Sequence, residues 1–451
     1  MATRHLLPLP LFFRSLARNR PPTLLFFSNS TMASPPSKKV LIPIANGTEP
    51  LEAVITIDVL RRAGAEVTVA SVEKNLRVDA SLGIKLVADA LVVDCEESSF
   101  DLISLPGGMT GAERLRDCGV LESIVKRHAE KGGLYAAICA APAVALGSWG
   151  LLKGLKATCY PSVMDKMPSD VTKVESRVVV DGRAVTSRGP GTAIEFALSL
   201  VEQLYGKDKA DEVAGPMVVR PHHGEEYTVT ELNSVGWKYD STPQVLTSEF
   251  FKSIQVLYIT LTPTLSHKLS QILVPIANGS EEMEAVIIID TLRRAKANVV
   301  VASVEEKLQI IASRKVKIVA DVLLDDAAQM QYDLIILPGG LPGAQAFSNS
   351  EKLVNLIKKQ AESNKPYGAI CASPAIVLEH HGLLKGKKAT AFPALCNKLA
   401  DSSESENRVL VDGNLITSRG PGTSMEFALG IVEKLYGREK AIELAKAMVF
   451  A

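Results

Sequence analysis

The sequence predicts an α/β protein of two tandem domains, each a mostly parallel β-sheet with helices on both faces. Two observations lead to this fold class. One stretch of the chain recurs 232 positions later, and within each copy apolar runs of strand length alternate with amphipathic segments of helix length. Such alternation is typical of doubly wound sheets, whose parallel strands are joined by crossover helices.

The repeat spans a whole domain. The segment Val-Leu-Ile-Pro-Ile-Ala-Asn-Gly that ends at Gly47 returns as Ile-Leu-Val-Pro-Ile-Ala-Asn-Gly ending at Gly279, and Cys139 corresponds to Cys371 at the same offset. A unit of about 180 residues has the size of an ordinary domain and is much longer than a solenoid repeat. We therefore interpret the chain as a duplicated domain.

The duplication defines the expected boundaries. We place the first domain at residues 38–215 and the second at residues 271–449, joined by a connector at residues 216–270. Because the first part of the connector is rich in valine, tyrosine and tryptophan, we expect it to pack on the first domain. Residues 245–270 have no counterpart before the first copy, and we interpret them as an insertion.

Residues 1–37 form a leader with its own composition. It contains four arginines and several serines, and no aspartate or glutamate precedes Glu49. This composition is typical of transit peptides and predicts targeting to the chloroplast, with the mitochondrion as the second choice. A start at Met32 would give a cytosolic form, and a disordered tail without a role is the remaining interpretation. Its apolar runs are too short to span a bilayer.

Composition disfavours several classes of function. The 50 basic and 50 acidic residues give a formal net charge of +0, so no global field favours nucleic acid or an acidic membrane surface as a partner. Six cysteines without a CxxC pair match neither a disulfide framework nor a zinc ribbon. We therefore expect free thiols in a reducing compartment and no metal site.

Apolar runs predict the elements of the first copy. We expect strands at residues 40–45, 66–70 and 134–138, another strand ending at Leu105, and a helix at residues 49–63. Ligands of doubly wound sheets bind outside the carboxyl ends of the strands. The turns that follow these strands are therefore expected to meet at one site.

A cysteine occupies one of these turns in each copy. Cys139 follows the strand pattern Leu-Tyr-Ala-Ala-Ile and precedes a helix with proline in its first turn, and Cys371 has matching surroundings. The positive end of a helix dipole lowers the pKa of a thiol, and strand-to-helix turns display the nucleophiles of hydrolases. We predict two reactive thiols; the alternative is a cysteine that packs as a small apolar side chain.

A glutamate follows the first strand of each copy. Glu52 and Glu284 fall in the first helical turns and have apolar neighbours, so we expect partial burial and a raised carboxyl pKa. Such a carboxyl group can exchange a proton with a thiol or a substrate. The alternative is a solvated acid at the start of a helix.

Two further motifs accompany this pair. Gly107 and Gly108 follow a strand, and their backbone amides can approach a developing oxyanion, although a simple tight turn is the alternative. The segment Thr-Ser-Arg-Gly-Pro-Gly-Thr places Arg188 in the first copy and Arg419 in the second where they could bind an anion. An arginine that braces a turn is an equal alternative.

The strings Ala-Asn-Gly-Ser-Glu-Glu-Met-Glu, Leu-Pro-Gly-Gly, Ala-Ile-Cys-Ala and Thr-Ser-Arg-Gly-Pro-Gly-Thr, in this order and spacing, resemble the DJ-1/PfpI family. With its leader, the tandem chain is similar to the plant members. The resemblance implies a flavodoxin-like fold, an oxidisable cysteine paired with a protonated glutamate, and protection against oxidative and carbonyl stress. It also implies glyoxalase activity without a cofactor, from methylglyoxal and glyoxal to lactate and glycolate, with a deglycase side activity.

The resemblance also implies roles and partners. Cys139 and Cys371 would be nucleophiles and Glu52 and Glu284 their acid/base partners. The amide donors would be Gly107, Gly108, Ala140, Gly339, Gly340 and Ala372. The expected partners are a small dicarbonyl substrate and antioxidant enzymes, and the two copies would form an intramolecular pseudo-dimer unless the chain forms a homo-oligomer. A redox-sensing cysteine protein or chaperone with little catalysis is the second hypothesis.

One departure from the family pattern concerns histidine. Relatives often carry a histidine before a proline near the cysteine, whereas this chain has Tyr160 and Phe392 at those positions. A protease-type pair of cysteine and histidine is therefore disfavoured, and the glutamate would handle the proton alone.

Overall fold

The computed structural model describes residues 37–220 and 270–451. Nearly all of the predicted leader and of the predicted insertion at residues 245–270 lies outside the described residues, so targeting and insertion stay predictions. Residues Ser37–Ala451 form one compact unit.

The first domain is built on a seven-stranded sheet. The strands of the whole domain are β1 (Lys39–Ile44), β2 (Glu66–Ser71), β3 (Arg77–Asp79), β4 (Lys85–Val87), β5 (Ala90–Leu91), β6 (Leu102–Leu105), β7 (Leu134–Ile138), β8 (Lys156–Ala157), β9 (Thr172–Lys173), β10 (Val178–Asp181) and β11 (Ala184–Ser187). Strands β3, β4, β8 and β9 lie outside the seven-stranded sheet. The order in the sheet is β10-β11-β7-β6-β1-β2-β5, with parallel pairing except between β10 and β11.

The second domain repeats this sheet. Its strands are β12 (Gln271–Ile276), β13 (Asn298–Ser303), β14 (Gln309–Ile311), β15 (Lys317–Val319), β16 (Val322–Leu323), β17 (Leu334–Leu337), β18 (Tyr367–Ile370), β19 (Val409–Asp412) and β20 (Leu415–Ser418). The order β19-β20-β18-β17-β12-β13-β16 matches the first domain strand for strand. The predicted fold class, two mostly parallel sheets with flanking helices, is confirmed.

Helices flank both sheets. In the first domain they are α1 (Pro50–Arg62), α2 (Met109–Arg116), α3 (Gly119–Glu130), α4 (Ala193–Tyr205) and α5 (Lys207–Ala214). In the second they are α6 (Glu282–Arg294), α7 (Leu324–Ala327), α8 (Leu341–Asn349), α9 (Glu351–Glu362), α10 (Ser424–Tyr436) and α11 (Arg438–Ala447). In the described part of the chain, no helix combines the length and apolar character that crossing a bilayer requires.

Helices α1 and α6 lie at the contact between the two domains. Each is buried from its first residue almost to its last, because it packs against its own domain on one side and against the other helix on the other. Both helices begin where the first strand ends. The contact between the domains therefore reaches the carboxyl edges of the sheets, where the predicted sites lie.

A four-stranded sheet also joins the domains. Strand β4 of the first domain pairs antiparallel with β15 of the second, with Leu86 opposite Ile318. Two reciprocal ion pairs flank this pairing, Lys85 with Asp321 and Lys317 with Asp89, each with N–O distances of 2.9 Å.

Of the first part of the connector, the structure describes only residues 216–220, and these contact both domains. Gly422 donates a backbone hydrogen bond of 2.7 Å to the carbonyl of Met217, and the side chain of Arg408 donates one of 2.8 Å to the carbonyl of Val218. The backbone N–H of Met217 donates a 3.2 Å hydrogen bond to the carbonyl of Ala214 in the first domain. The expected packing of the rest of this segment on the first domain stays a prediction.

Candidate active site

Cys139 stands at a strained turn between β7 and a short helical segment that begins at Pro142. Its φ is +65°, a left-handed conformation that is unfavourable for a residue with a Cβ. The backbone N–H of Cys139 donates a 3.0 Å hydrogen bond to the carbonyl of Ser187 on β11, which ties the turn to the neighbouring strand. Cys371, with φ of +63° and a 3.0 Å bond to Ser418, repeats the geometry.

Glu52 and Glu284 are fully buried at the starts of α1 and α6. Oε2 of Glu52 accepts a 2.8 Å hydrogen bond from the backbone N–H of Gly107, and Oε2 of Glu284 accepts one of 2.6 Å from Gly339. Oε1 of each carboxyl group is buried without a hydrogen-bond partner among the described residues. Each carboxyl group is thus held through one oxygen by a backbone hydrogen bond from the glycine loop.

The glycine loop brings thiol and carboxyl together. A Cβ placed on Gly107 would lie 2.6 Å from Cβ of Cys139 and 2.8 Å from Oε2 of Glu52. The equivalent distances at Gly339 are 2.5 Å to Cys371 and 2.7 Å to Glu284. Only glycine leaves room for cysteine and glutamate to approach each other at this point, so the structure joins the predicted cysteine, glutamate and glycine loop into one site per domain.

Burial controls the protonation of this pair. Burial first, and then the charge of Glu49, raise the pKa of Glu52 well above its ordinary range, while burial raises the pKa of Glu284 to about 7. The predicted raised carboxyl pKa is confirmed, and burial is complete rather than partial. Both carboxyl groups can therefore carry a proton near neutral pH.

The two sites place the chain among known proteins. The family model described as "DJ-1/PfpI family" matches residues 38–203 and again residues 270–434. The chain belongs to the DJ-1/PfpI family. It is 63% identical to Protein DJ-1 homolog B of Arabidopsis thaliana over 421 residues, 93% of this chain and 90% of the relative, and 58% identical to Protein DJ-1 homolog A of the same plant over 412 residues, 91% and 98%.

A further family relative comes from an animal. The Caenorhabditis elegans protein named "Glutathione-independent glyoxalase DJR-1.2" is 37% identical over 187 residues, which is 41% of this chain and 98% of that protein. It matches less than half of this chain, whereas the two plant relatives extend over both domains. The tandem arrangement is therefore shared with the plant members of the family.

The thiol differs from the prediction. Burial, and then the charge of Glu52, raise the pKa of Cys139 well above its ordinary value, although a backbone hydrogen bond from Gly108 lowers it. Burial and the charge of Glu284 likewise raise the pKa of Cys371. The expectation of a lowered thiol pKa was wrong because burial and an adjacent carboxylate outweigh the amides of the helix start.

The predicted amide donors divide into two groups. The N–H of Gly107 and that of Gly339 hold a glutamate, and the backbone of Gly108 and of Gly340 contacts the cysteine sulfur. In this structure these amides contact the glutamate and the cysteine, and binding of a substrate oxygen stays a prediction. The roles of Ala140 and Ala372 stay predictions.

Arg188 and Arg419 contact the loops that precede β10 and β19. Arg188 donates to the carbonyl of Glu175 at 3.4 Å, and Arg419 contacts both the carbonyl and the carboxylate of Glu406, at 3.3 and 3.1 Å. Nε of each arginine is buried without a partner among the described residues. The contacts agree with the bracing alternative, and anion binding stays a prediction.

Tyr160 and Phe392 follow the same geometry on their own domains, and one contact reaches across. The hydroxyl of Tyr160 donates a 2.8 Å hydrogen bond to the carbonyl of Ala447 in the second domain, and its ring lies against Gly189. Phe392 lies against Gly420, where Val218 of the connector also approaches. The hydroxyl of Tyr160 therefore links the first domain to the second.

Sequence reasoning missed two ion pairs beside the sites. Arg294 lies 2.6 Å from Glu49, and Arg62 lies 2.8 Å from Glu281, each pair crossing between the domains. The signal was present, because both glutamates and both arginines recur at the offset of 232. Charged residues that persist in both copies of a duplicated domain could have been singled out.

One group of acids among the described residues is close enough to hold a metal ion. Carboxylate oxygens of Asp58, Glu281 and Glu282 all lie within 4.8 Å of one another, and all three residues are buried. Arg62 pairs with Asp58 and Glu281, while Glu282 accepts hydrogen bonds from Ser313 and from the backbone of Arg314. The acids already have partners and form a hydrogen-bonded network.

Proposed function

We propose that the protein is a cofactor-independent glyoxalase of the DJ-1 type, which converts methylglyoxal and glyoxal to lactate and glycolate and so protects against carbonyl and oxidative stress. The observation that carries this proposal is the cysteine beside a fully buried glutamate around a glycine loop, built twice in one chain. The animal relative named as a glyoxalase supports it.

The reaction starts at the pair of Cys139 and Glu52. The carboxylate accepts the thiol proton as the sulfur forms a bond to the aldehyde carbon of methylglyoxal; the carbonyl oxygen takes up a proton, and a hemithioacetal results. The carboxylate then removes the hydrogen of that carbon as a proton while the ketone oxygen takes up a proton, which gives an enediol. A proton is delivered to the former ketone carbon, and the hydroxyl on the aldehyde carbon gives up its proton. The aldehyde carbon is oxidised and the ketone carbon reduced, which leaves a lactoyl thioester.

Water completes the cycle. It hydrolyses the thioester to lactate and restores the thiol, so one methylglyoxal and one water give one lactic acid without an external oxidant or reductant. The unpartnered Oε1 atoms of Glu52 and Glu284 offer the substrate a buried polar contact. A carboxyl pKa of about 7, as for Glu284, suits a group that must both accept and donate protons near neutral pH.

Lactate formation from methylglyoxal tests the proposal. We expect Cys139→Ser and Cys371→Ser each to remove the contribution of one site and the double variant to be inactive, with Cys118→Ser as the matched control outside both sites. A double variant as active as the wild type would reject the enzymatic role.

The unequal exposure of the two thiols favours a second function, redox sensing. Cys139 is partly exposed, whereas Cys371 is 8% exposed. Two equivalents of hydrogen peroxide would oxidise the sulfur to sulfinate and release two waters, and the modified protein would bind antioxidant enzymes. Mass spectrometry after mild peroxide should find oxidation at the site cysteines, Cys139 before Cys371; oxidation concentrated on Cys95 or Cys118 would contradict this function.

A further inference from the structure

Helices α1 and α6 each begin at one site and end beside the other. Glu49 and Glu281 are the residues that cap the starts of α1 and α6, and Arg62 and Arg294 lie in their last turns. Arg294 donates a 2.6 Å hydrogen bond to Oε2 of Glu49, and Arg62 donates one of 2.8 Å to Oε1 of Glu281. The end of each helix thus contacts the start of the other.

Each capping glutamate bonds to the glycine loop of its site and to the helix that carries the site's glutamate. The backbone N–H of Glu49 donates a 2.9 Å hydrogen bond to the carbonyl of Gly107, and its side chain accepts one of 3.3 Å from Leu51. These bonds join the glycine loop to the helix that carries Glu52.

The second domain has the same backbone link, and its capping side chain bonds directly to the backbone of Glu284. Glu281 donates a 3.0 Å backbone bond to Gly339, and its Oε2 accepts a 2.7 Å bond from the backbone N–H of Glu284. A movement of the capping carboxylate would therefore displace the catalytic glutamate directly.

Each capping glutamate lies next to a cation from the other domain, and around Glu281 burial and the neighbouring acids raise the carboxyl pKa despite this cation. The side chain of Glu49 is 8% exposed and that of Glu281 is 5% exposed, and a buried carboxylate without a counter-charge is strongly unfavourable. The recorded ion pair of each comes from the other domain. The charge of Glu49 raises the pKa of Glu52, and Arg294 opposes this effect.

We propose that Arg294 is a positioning residue for the site of Cys139 and Glu52, and Arg62 for the site of Cys371 and Glu284. The arginine acts through the capping glutamate, which fixes the glycine loop and the catalytic glutamate relative to the cysteine. Each site is then complete only when the other domain is present. In calling the sites catalytic, this inference rests on the proposed function.

Several titratable or charged groups face the two capping glutamates. Those around Glu49 are Glu52, Asp290, Arg294, Cys139 and Tyr160. Those around Glu281 are Glu282, Glu284, Asp58, Arg62 and Cys371. Among the described residues, the cation recorded in each group belongs to the opposite domain, so its removal leaves negative charge less compensated beside the cysteine of the site.

Crossed variants in the full chain test the proposal. The pH dependence of iodoacetamide alkylation is followed at Cys139 and Cys371 separately by peptide mass spectrometry. We expect Arg294→Met to shift the profile of Cys139 to higher pH by about 1 unit and to leave Cys371 unchanged, and Arg62→Met to do the reverse. Adding Glu49→Gln to Arg294→Met should move the Cys139 profile part of the way back, because the charge of Glu49 is then gone while Asp290, which also pairs with Arg294, is still present.

Lys85→Met is the matched control. It breaks the ion pair that Lys85 forms with Asp321 between the domains, and neither residue is among those that face a capping glutamate. Equal shifts at both cysteines, or none, would overturn the proposal. The methylglyoxal assay is run in parallel on Arg294→Met in a Cys371→Ser background, where kcat is expected to fall about tenfold with little change in KM. Alkylation does not depend on turnover, so a protein without glyoxalase activity would reject the proposed function while the positioning role is still decided.

Discussion

Gly107 lies directly between Cys139 and Glu52, with no space for a side chain of its own. The position its Cβ would take is 2.6 Å from the cysteine Cβ and 2.8 Å from the carboxyl oxygen. Its φ is not in the left-handed region, so the need for glycine here comes from the close approach of two side chains rather than from backbone freedom.

Gly107→Ala should therefore separate the thiol from the carboxyl group. We expect activity at the Cys139 site, measured in a Cys371→Ser background, to fall by about 100-fold, because displacement of reacting groups by about 1 Å has effects of this size. Gly119→Ala is the control, since a Cβ there meets nothing within 4 Å. Activity in Gly107→Ala similar to that of the control would show that the close approach is not needed.

Glu52→Gln should make the thiol of Cys139 easier to ionise but should lower the activity of its site. The charge of Glu52 raises the pKa of Cys139, so its removal should lower that pKa and move the alkylation profile of Cys139 to lower pH. Lactate formation at this site should nevertheless fall by about 100-fold or more, because the proton acceptor is lost. Asp117→Asn, a change of an exposed acid, is the control. A profile that stays in place or moves to higher pH would contradict the assigned interaction.

The sequence predicted the fold well because hydrophobic pattern follows from sheet geometry. The strand expected at residues 134–138 is Leu134–Ile138 in the structure, and the helix expected at residues 49–63 is Pro50–Arg62. The pairing of Glu52 with Cys139 was within reach for the same reason, since residues that follow parallel strands of one sheet meet at its carboxyl edge. Strand β6, which leads into Gly107, lies between β1 and β7.

Two features of the site were beyond the sequence pattern. The direction of the pKa shift of Cys139 depends on how completely it is desolvated, which is decided by the packing of several elements. The contact of Arg294 with Glu49 depends on how the two domains are arranged, and a residue pattern within one copy does not contain that arrangement. The only signal in the sequence was that this arginine and this glutamate both recur at equivalent positions of the two copies.

Tyr160→Phe separates a structural role of the hydroxyl group from a catalytic one. The hydroxyl donates to the carbonyl of Ala447, so its loss should lower the free energy of unfolding by about 1 kcal/mol, measured in urea. Activity of the Cys139 site should stay within about twofold, since we assign the proton transfers to Glu52. A loss of activity of about tenfold or more at unchanged stability would instead make the hydroxyl a proton donor.

Glu282 should make the stability of the protein depend on pH. It is fully buried, and burial, followed by the charge of Asp58, raises its pKa to about 7. The unfolded chain releases this proton near pH 4 while the folded chain keeps it to about 7, so the folded state binds more protons in between. The stability that this group contributes is therefore fully present below about pH 4. It decreases as the pH rises from about 4 and is lost once the pH passes about 7.

Glu282→Gln removes this titration while keeping the shape of the side chain. We expect the free energy of unfolding of the variant to fall less steeply between about pH 5 and pH 7 than that of the wild type, as followed by urea unfolding across this range. Glu443→Gln, at an exposed acid of α11, should reproduce the wild-type slope. The first domain has Pro50 at the equivalent position, so it provides no second group to compensate for the change. If the two variants show the same slope, Glu282 is already ionised in the folded protein at pH 5, and its hydrogen bonds to Ser313 and Arg314 outweigh its burial.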